Sequence, residues 1–597
     1  MVETFFKTLN SELIWRSIFY TRTETDRPLP ATSTASTILS ADTRRSTSSA
    51  PSSSNEGPST EAMTLHFTEA SPRHGFPAVR LLFSFFLPIF LLLKICRVSE
   101  KVGAMGFAFV RLWMSALAFL CVAAPAQADR FDPVRETIRE QLVENGVPSV
   151  AVAVLQDGKV VWEEGFGWAD REKRIAADAH TMYSLASISK PITTTGLMTL
   201  VQSGKIDLDR PADDYLGAAK LNARVGDARA ATVRRVAGHT SGLPLHYQFF
   251  YEDEPVARPP MGETIQRYAN LVSAPGARYQ YSNLGFGILD EIISRTSGLS
   301  YADFMRREVF LPLGLTRTSV DIGPGLEAFA ATRYGRNGEP IPFYTFDHPG
   351  ASAVFSSAHD LIRFAGFHLK NRLPGQKPIL NAASIDEMQR PVDPQAVRED
   401  GSGYGVGFNV RTKDGYRVVS HSGGMGGVAT IMQIFPDRNI ALVVLTNSSS
   451  PAPRIIADKI AAIMLPGWKP SPIPAEPQTL PFAPTPALAG TWKGTLSTPE
   501  KTLPVELVFQ PDGLIRAAFG EQLPTLVSKG RFENDVFSGD LNARVPNTDV
   551  QRFSYFVRLT LELDGATLRG AATAIGDMDN DRVRNAVAHW LSLTRQP

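Results

Sequence analysis

The stretch VAVAVLQDGKVVWEEGF, Val150–Phe166, reads as a β-hairpin. Val150–Leu155 and Lys159–Phe166 are β-branched and apolar runs, and Asp157-Gly158 between them is a strong turn dipeptide. Upstream, Asp132 is placed to cap a helix, Pro133 fits its first turn, and Val134, Ile138 and Leu142 form its apolar stripe. Downstream, Ile192–Ser203 reads as a helix ended by Gly204, with Pro191 tolerated only near its start. Residues 205–400 mix helical patterns such as Gly285–Arg295 with long loops. Strands then return at Tyr404–Val410, Tyr416–Ser420, Val428–Phe435 and Ile440–Leu445, the last two joined by the turn Pro436-Asp437-Arg438-Asn439. A helix follows at Pro453–Ile463. Strands at both ends with helices between predict an α/β fold of the α+β type. One antiparallel sheet is assembled from both ends, flanked by helices, with a mainly helical insertion.

The flanks have different patterns. Pro466–Pro486 carries a proline every few residues and reads as a semi-rigid linker. Beyond it, short β-type runs recur at Thr491–Leu496, Leu503–Phe509, Leu514–Phe519, Val536–Leu541, Phe553–Leu563 and Thr567–Ala574. This spacing predicts a C-terminal all-β barrel or sandwich. Gly490-Thr491-Trp492 resembles the first strand of a lipocalin, with Trp492 expected as a core plug. Asp577–Asp581 hints at a calcium loop, but Arg582 and Ala588 stand where glycine and glutamate are needed, so a solvated turn is expected.

At the other end, Pro28–Thr60 is rich in Ser, Thr, Pro and Ala without apolar periodicity. Leu81–Leu93 is apolar but shorter than the ~20 residues of a spanning helix. After Met105, Arg111 precedes the apolar run Leu112–Ala124, and Ala126-Gln127-Ala128 ends it, the pattern of a secretory signal peptide. The expected organisation is a low-complexity extension or misassigned start at 1–104 and a signal peptide at 105–128. A main α/β domain at 129–465, a linker at 466–487 and a barrel domain at 488–597 follow. The rival reading keeps the tail and makes the apolar segment a membrane anchor. Either reading exports the body, to the periplasm or beyond, and confines membrane contact to the N-terminal segment. The body lacks cysteine after Cys121, which excludes disulfides and thiolate metal sites there. Lys+Arg is 61 against 60 Asp+Glu, so no global charge bias points to nucleic acid.

The chemistry is concentrated in three short motifs. Ser187-Ile188-Ser189-Lys190 puts a hydroxyl and an amine on one helical face, where the amine can take the serine proton. For Lys190 to act as a base near neutrality its pKa must fall by ~3 units, or about 4 kcal/mol. The alternative is that Lys190 stays charged and lowers the pKa of a second base, for which Tyr281 in Tyr281-Ser282-Asn283 is the candidate. Asn283 is placed to orient Lys190 or hold a substrate amide. His421-Ser422-Gly423-Gly424 opens a strand whose small residues let a substrate backbone approach. Backbone N–H groups of Ser187 and Gly424 are the candidate oxyanion donors, worth ~3–4 kcal/mol each. Gly423–Gly427 is not a phosphate loop, since no Gly-Lys-Ser/Thr follows.

In order and rough spacing these motifs resemble the penicillin-recognising serine hydrolases, which include class C β-lactamases, D,D-peptidases, D-aminopeptidases and related esterases. His239-Thr240-Ser241-Gly242-Leu243, Pro275-Gly276 and Pro312-Leu313-Gly314-Leu315 extend the resemblance over about 140–465. It implies a β-lactamase/transpeptidase-like fold, acylation of Ser187, and Lys190 with Tyr281 as acid/base pair. It further implies that Asn283, His421 and Gly423 bind substrate, with His421 where many members carry lysine. His239 reads as a loop-bracing residue. A histidine is only partly charged at neutral pH, so peptidase, amidase or esterase activity is expected over strong β-lactamase activity. The substrate is a small molecule or peptide, and no metal or organic cofactor is needed. The rival is a catalytically silent binding protein for cell-wall peptides or β-lactams. A third view makes the C-terminal domain a partner-binding module.

Overall fold

The strand of VAVAVL is buried on both faces, and its alternation assigns each residue to a face. Val150, Val152 and Val154 pack into one apolar cluster, and Ala151, Ala153 and Leu155 into another. The structure, a computed structural model, describes residues 129–393, 397, 402–472, 482–578 and 581–597. The expected extension and signal peptide, 1–128, lie outside the described residues, as does 473–481 of the expected linker.

Strands β1 (Ser149–Gln156) and β2 (Lys159–Asp170) form the expected hairpin. Its turn residues Asp157 and Gly158 have φ of 50° and 74°, as a two-residue primed turn requires. β3 (Ile175–Ala176) flanks β2. The other strands come from the far end of the domain: β4 (Gly403–Tyr404), β5 (Asn409–Lys413), β6 (Tyr416–Met425), β7 (Val428–Phe435) and β8 (Ile440–Thr446). The sheet order is β4-β5-β6-β7-β8-β1-β2-β3, antiparallel throughout, with Val150 opposite Thr446 and Gln156 opposite Ile440. Helices α1 (Asp132–Glu144) and α5 (Ala452–Met464) cover the valine face of β1. Helices α2 (Ser189–Gln202), α3 (Asn283–Ser297) and α4 (Ala358–His368) belong to the cluster on the alanine face.

Two local expectations are corrected. Asp132 does not cap α1: it is the first helical residue, and its carboxylate accepts from Arg135 at 2.8 Å. The expected strand Tyr404–Val410 is split into β4 and β5. A turn between them puts Gly407 at φ 88° with Thr194 of α2 against it, so close that a Cβ would sit 2.2 Å from the threonine hydroxyl.

The C-terminal region is a nine-stranded antiparallel sheet curled into a nearly closed barrel. Its strands are β9 (Gly490–Ser497), β10 (Thr502–Phe509), β11 (Ile515–Phe519), β12 (Thr525–Leu526), β13 (Ser528–Glu533), β14 (Val536–Leu541), β15 (Tyr555–Asp564), β16 (Thr567–Gly576) and β17 (Ala586–Arg595). The order runs β12-β11-β10-β9-β17-β16-β15-β14-β13, so the two edges are neighbours in sequence, separated by Val527 alone. Side chains including Trp492, Leu507, Phe509, Phe537 and Leu591 fill the interior. Trp492 is fully buried and donates to Leu488 O at 2.8 Å.

The barrel and the α/β domain are stitched together. Tyr247 and Ala586 exchange backbone hydrogen bonds of 2.9 and 2.8 Å. Tyr251 OH donates to Val583 O at 2.9 Å, and Glu254 pairs with Arg552 at 3.0 Å and Arg584 at 2.7 Å. Asp581, expected in a solvated turn, is buried and ion-paired with Arg336 at 3.2 Å. Its carbonyl leaves no room for a side chain at Gly426, where a Cβ would lie 2.1 Å away. Among the described residues no helix is long and apolar enough to cross a membrane.

Candidate active site

Ser187 sits in a single 3₁₀ turn, Ala186–Ile188, that runs directly into α2. The chain reaches it from the short strand Met182–Ser184, which pairs with Val354–Ser357. Ala186 is held at φ 48°, a left-handed conformation that costs a non-glycine residue roughly 1–2 kcal/mol. Packing over-determines it: Leu185 O accepts from Thr430 Oγ1 at 3.0 Å, and Val354 N–H donates to Ser189 Oγ at 3.0 Å.

The tyrosine motif arrives at the start of α3. Ser282 caps this helix by accepting from Gly285 N–H at 3.2 Å, which places Tyr281 just outside it and Asn283 at its first position. Tyr281 OH donates to Ser187 Oγ at 3.0 Å. Lys190 Nζ donates to Ser187 Oγ at 3.1 Å, to Asn283 Oδ1 at 2.7 Å and to Ala351 O at 3.3 Å. The ammonium also lies 4.6 Å from the centre of the Tyr281 ring, and Lys190 is wholly buried. The structure therefore brings Ser187, Lys190, Tyr281 and Asn283 into one hydrogen-bonded group. A serine hydroxyl flanked by a phenol and an amine has two routes by which to lose a proton.

The third motif is adjacent but plays a different part from the one a lysine would play. His421 is buried, with Nε2 2.9 Å from Tyr404 OH and Nδ1 2.7 Å from Ser422 O. Of the two neutral tautomers, the one with its proton on Nδ1 satisfies both neighbours, since the carbonyl can only accept and Tyr404 OH can donate to Nε2. Burial, then the Lys190 charge, push its pKa down to about 3. Its surroundings thus favour the uncharged imidazole at neutral pH. Gly423 lies under the nucleophile turn: a Cβ there would be 2.0 Å from Leu185 O and 2.4 Å from Thr430 Oγ1. A Cβ at Gly424 would meet nothing within 4 Å. Gly423→Ala is therefore expected to cost about 1–3 kcal/mol through overpacking, while Gly424→Ala melts like the wild type. Thermal melts of the two variants check this contrast.

His239 braces the site from behind. Its Nδ1 accepts from Ser282 N–H at 3.1 Å, and its ring lies 4.3 Å from that of Tyr281 and 4.6 Å from that of Tyr404. Burial first, then Lys190 and His421, hold its pKa well below the ordinary histidine value. His368, on the alanine-face side, is likewise pushed down to about 3 by burial. These histidines are neutral in the folded chain and protonate near ~6.5 once unfolded. Their contribution to stability is complete above about pH 6.5 and is lost as pH falls toward 3. The melting temperature is expected to drop progressively from pH ~6.5 to ~4. A flat profile in scanning calorimetry would contradict it.

Two participants escaped the sequence reading. Tyr404, the hydroxyl partner of His421, is an ordinary apolar-strand tyrosine in sequence. Ala351 contributes only its carbonyl, which no residue pattern reveals. Its short helix, Pro349–Ser352, is held by Asp290, whose carboxylate accepts from Gly350 N–H at 2.6 Å.

Comparison with known proteins shows the family and the fold. The family model described as Beta-lactamase matches residues 134–463, more than half of the chain. Penicillin-binding protein 4 of Amycolatopsis lactamdurans is 28% identical over 387 residues, covering 61% of this chain and 96% of its own length. A penicillin-binding protein of Bacillus subtilis is 26% identical over 338 residues, covering 52% of this chain and 71% of its own. The solved structure of SurE superposes with a TM-score of 0.54 at 21% identity, covering 78% of this chain and 100% of that one. The family match stops before the barrel, so the lipocalin likeness of its first strand rests on Gly490-Thr491-Trp492 alone.

Proposed function

This chain belongs to the Beta-lactamase family, and we propose that it is a serine hydrolase that acylates Ser187 with an amide or ester and then hydrolyses the acyl-enzyme. One observation carries the reading: Ser187 Oγ lies 3.0 Å from Tyr281 OH and 3.1 Å from Lys190 Nζ. As Oγ bonds to the substrate carbonyl carbon, its proton passes to the Tyr281–Lys190 pair. The C–N or C–O bond then breaks, and the leaving group takes that proton. Water attacks the ester in the second half, gives its proton to the same pair, and Ser187 Oγ recovers one as the acid departs. Backbone N–H groups of Ser187 and Gly424 are the proposed oxyanion donors. Asn283 is proposed to hold the substrate amide, and His421 and Gly423 to shape the strand edge beside it.

The neutrality of His421 supports substrates that present no carboxylate there, D-amino-acid amides, esters or peptides cleaved at their N-terminal residue, over strong β-lactamase turnover, because the carboxylate of a β-lactam finds no cation at that position. The body is proposed to act outside the cytoplasm, delivered by the segment after Met105. The relatives named as penicillin-binding proteins keep alive the second reading, a protein that holds such ligands without turnover. A fluorophosphonate and a labelled penicillin test both. The expected result is a single adduct that peptide mapping places on Ser187. A panel of D-amino-acid amides, D-Ala-D-Ala peptides, short esters and a chromogenic cephalosporin then separates turnover from holding. No adduct at Ser187 with either probe would sink the enzyme reading.

A further inference from the structure

Away from Ser187, three side chains from three separate elements, two of them near in sequence and one distant, converge on the surface of the same domain. Glu163 comes from β2, His180 from the loop before Met182–Ser184, and His359 from the first turn of α4. One ligand atom from each lies within 4.8 Å of the other two. His359 Nδ1 is 2.8 Å from Glu163 Oε2, and the His180 and His359 rings are 4.5 Å apart. We propose that Glu163, His180 and His359 form a binding site for one divalent transition-metal ion of the zinc type, with the remaining position left to water.

Two imidazoles and one carboxylate are a ligand set that zinc takes, and three protein ligands leave a tetrahedral ion one open position. Bonds of about 2.0–2.2 Å require ligand atoms roughly 3.3 Å apart, so the side chains need only small rotations to close on an ion. They are free to make them: the His359 and Glu163 side chains are 30% and 31% exposed. The backbone beneath them is not free. His359 N–H donates to Ala179 O at 3.0 Å, Ala177 N–H to Gly167 O at 3.0 Å, and His180 N–H to Asp178 Oδ1 at 2.9 Å. Asp178 packs so tightly on β2 that a Cβ at Gly165 would lie 2.3 Å from its Cα. Arg363 is a further positive charge near Glu163, and it adds electrostatic cost to a cation there without occupying the site. A bound ion would tie β2, the 177–181 loop and α4 together. That loop continues into Met182–Ser184 and the turn of Ser187, so the ion would stiffen the segment that delivers the nucleophile.

The test uses the full chain stripped with chelator and titrated with zinc chloride by calorimetry at mildly alkaline pH, since zinc takes the deprotonated ring nitrogen. Wild type is expected to bind one zinc per chain with micromolar affinity and to melt at a higher temperature once loaded. His180→Ala is the cleanest variant, because it leaves the His359–Glu163 hydrogen bond intact. It and His359→Ala are each expected to lower affinity by ~10-fold or more and to lose the gain in melting temperature. Absence of saturable binding in the wild type overturns the proposal. So does binding that persists undiminished in both variants, which places the ion on other histidines.

Discussion

Lys190→Ala is expected to slow acylation of Ser187 by ~10²–10⁴-fold, the range that a positioned acid/base group supplies. The ammonium is wholly buried and donates to Ser187 Oγ, Asn283 Oδ1 and Ala351 O. Truncation strands the last two acceptors around a cavity, so a stability loss of about 1–3 kcal/mol accompanies the kinetic one. The rate of fluorophosphonate labelling reads the first effect, and urea melts read the second. Labelling at the wild-type rate would remove Lys190 from the mechanism. Comparison with Tyr281→Phe apportions the pair. If Tyr281 is the base and Lys190 the charge that favours its phenolate, Tyr281→Phe abolishes the alkaline-rising limb of the pH–rate profile. Lys190→Ala then moves that limb to higher pH, because losing a neighbouring cation raises a phenol pKa. If Lys190 is the base, its removal abolishes the limb and Tyr281→Phe retains it.

Truncation at Pro470 is expected to leave a catalytic fragment that does not fold stably and does not label at Ser187. Val583, Ala586 and Ile575 of the barrel share one apolar cluster with Met425, Val428, Tyr247, Phe249 and Ala186. Ala186 is the strained residue next to the nucleophile, so the barrel helps to hold the turn that presents Ser187. Fully burying a Val- or Phe-sized side chain is worth about 1.5–3 kcal/mol. Uncovering several of them consumes a net stability that for a domain is only ~5–15 kcal/mol. Glu254 would also lose both its arginine partners, Arg552 and Arg584. Circular dichroism and labelling of the fragment check this. A soluble fragment with wild-type melting and labelling would make the barrel a detachable module, and a panel of substrates would then decide between docking and gating.

Much of the fold is legible in the chain itself. The hairpin at Val150–Phe166 and the strands Val428–Phe435 and Ile440–Leu445 are legible because β-branched, apolar runs bounded by turn residues are local signals. The last barrel strand, Ala586–Arg595, is not. Its outer face packs on the catalytic domain through Ala586 and Ala588, so its first half is buried on both sides and lacks clean alternation. Asp581 differs from its expectation for the same reason: a loop residue with charged neighbours reads as solvated, yet here it is buried against the other domain.

The division between the two sources of information follows the range of the physics. Sequence by itself determined the chemistry on offer: a serine three residues before a lysine, a tyrosine at a helix start, and a small-residue strand. Helical spacing, capping and pleat are set by near neighbours and survive as patterns in the chain. Tertiary structure decided what those residues are to one another. Only packing brings Ser187, Lys190, Tyr281 and Asn283 within hydrogen-bonding reach across some 90 residues of chain. Only burial, beside the Lys190 charge, makes His421 neutral. And only the crossing of β2, a loop and α4 assembles Glu163, His180 and His359, because a cluster built from three separate elements leaves no spacing to read.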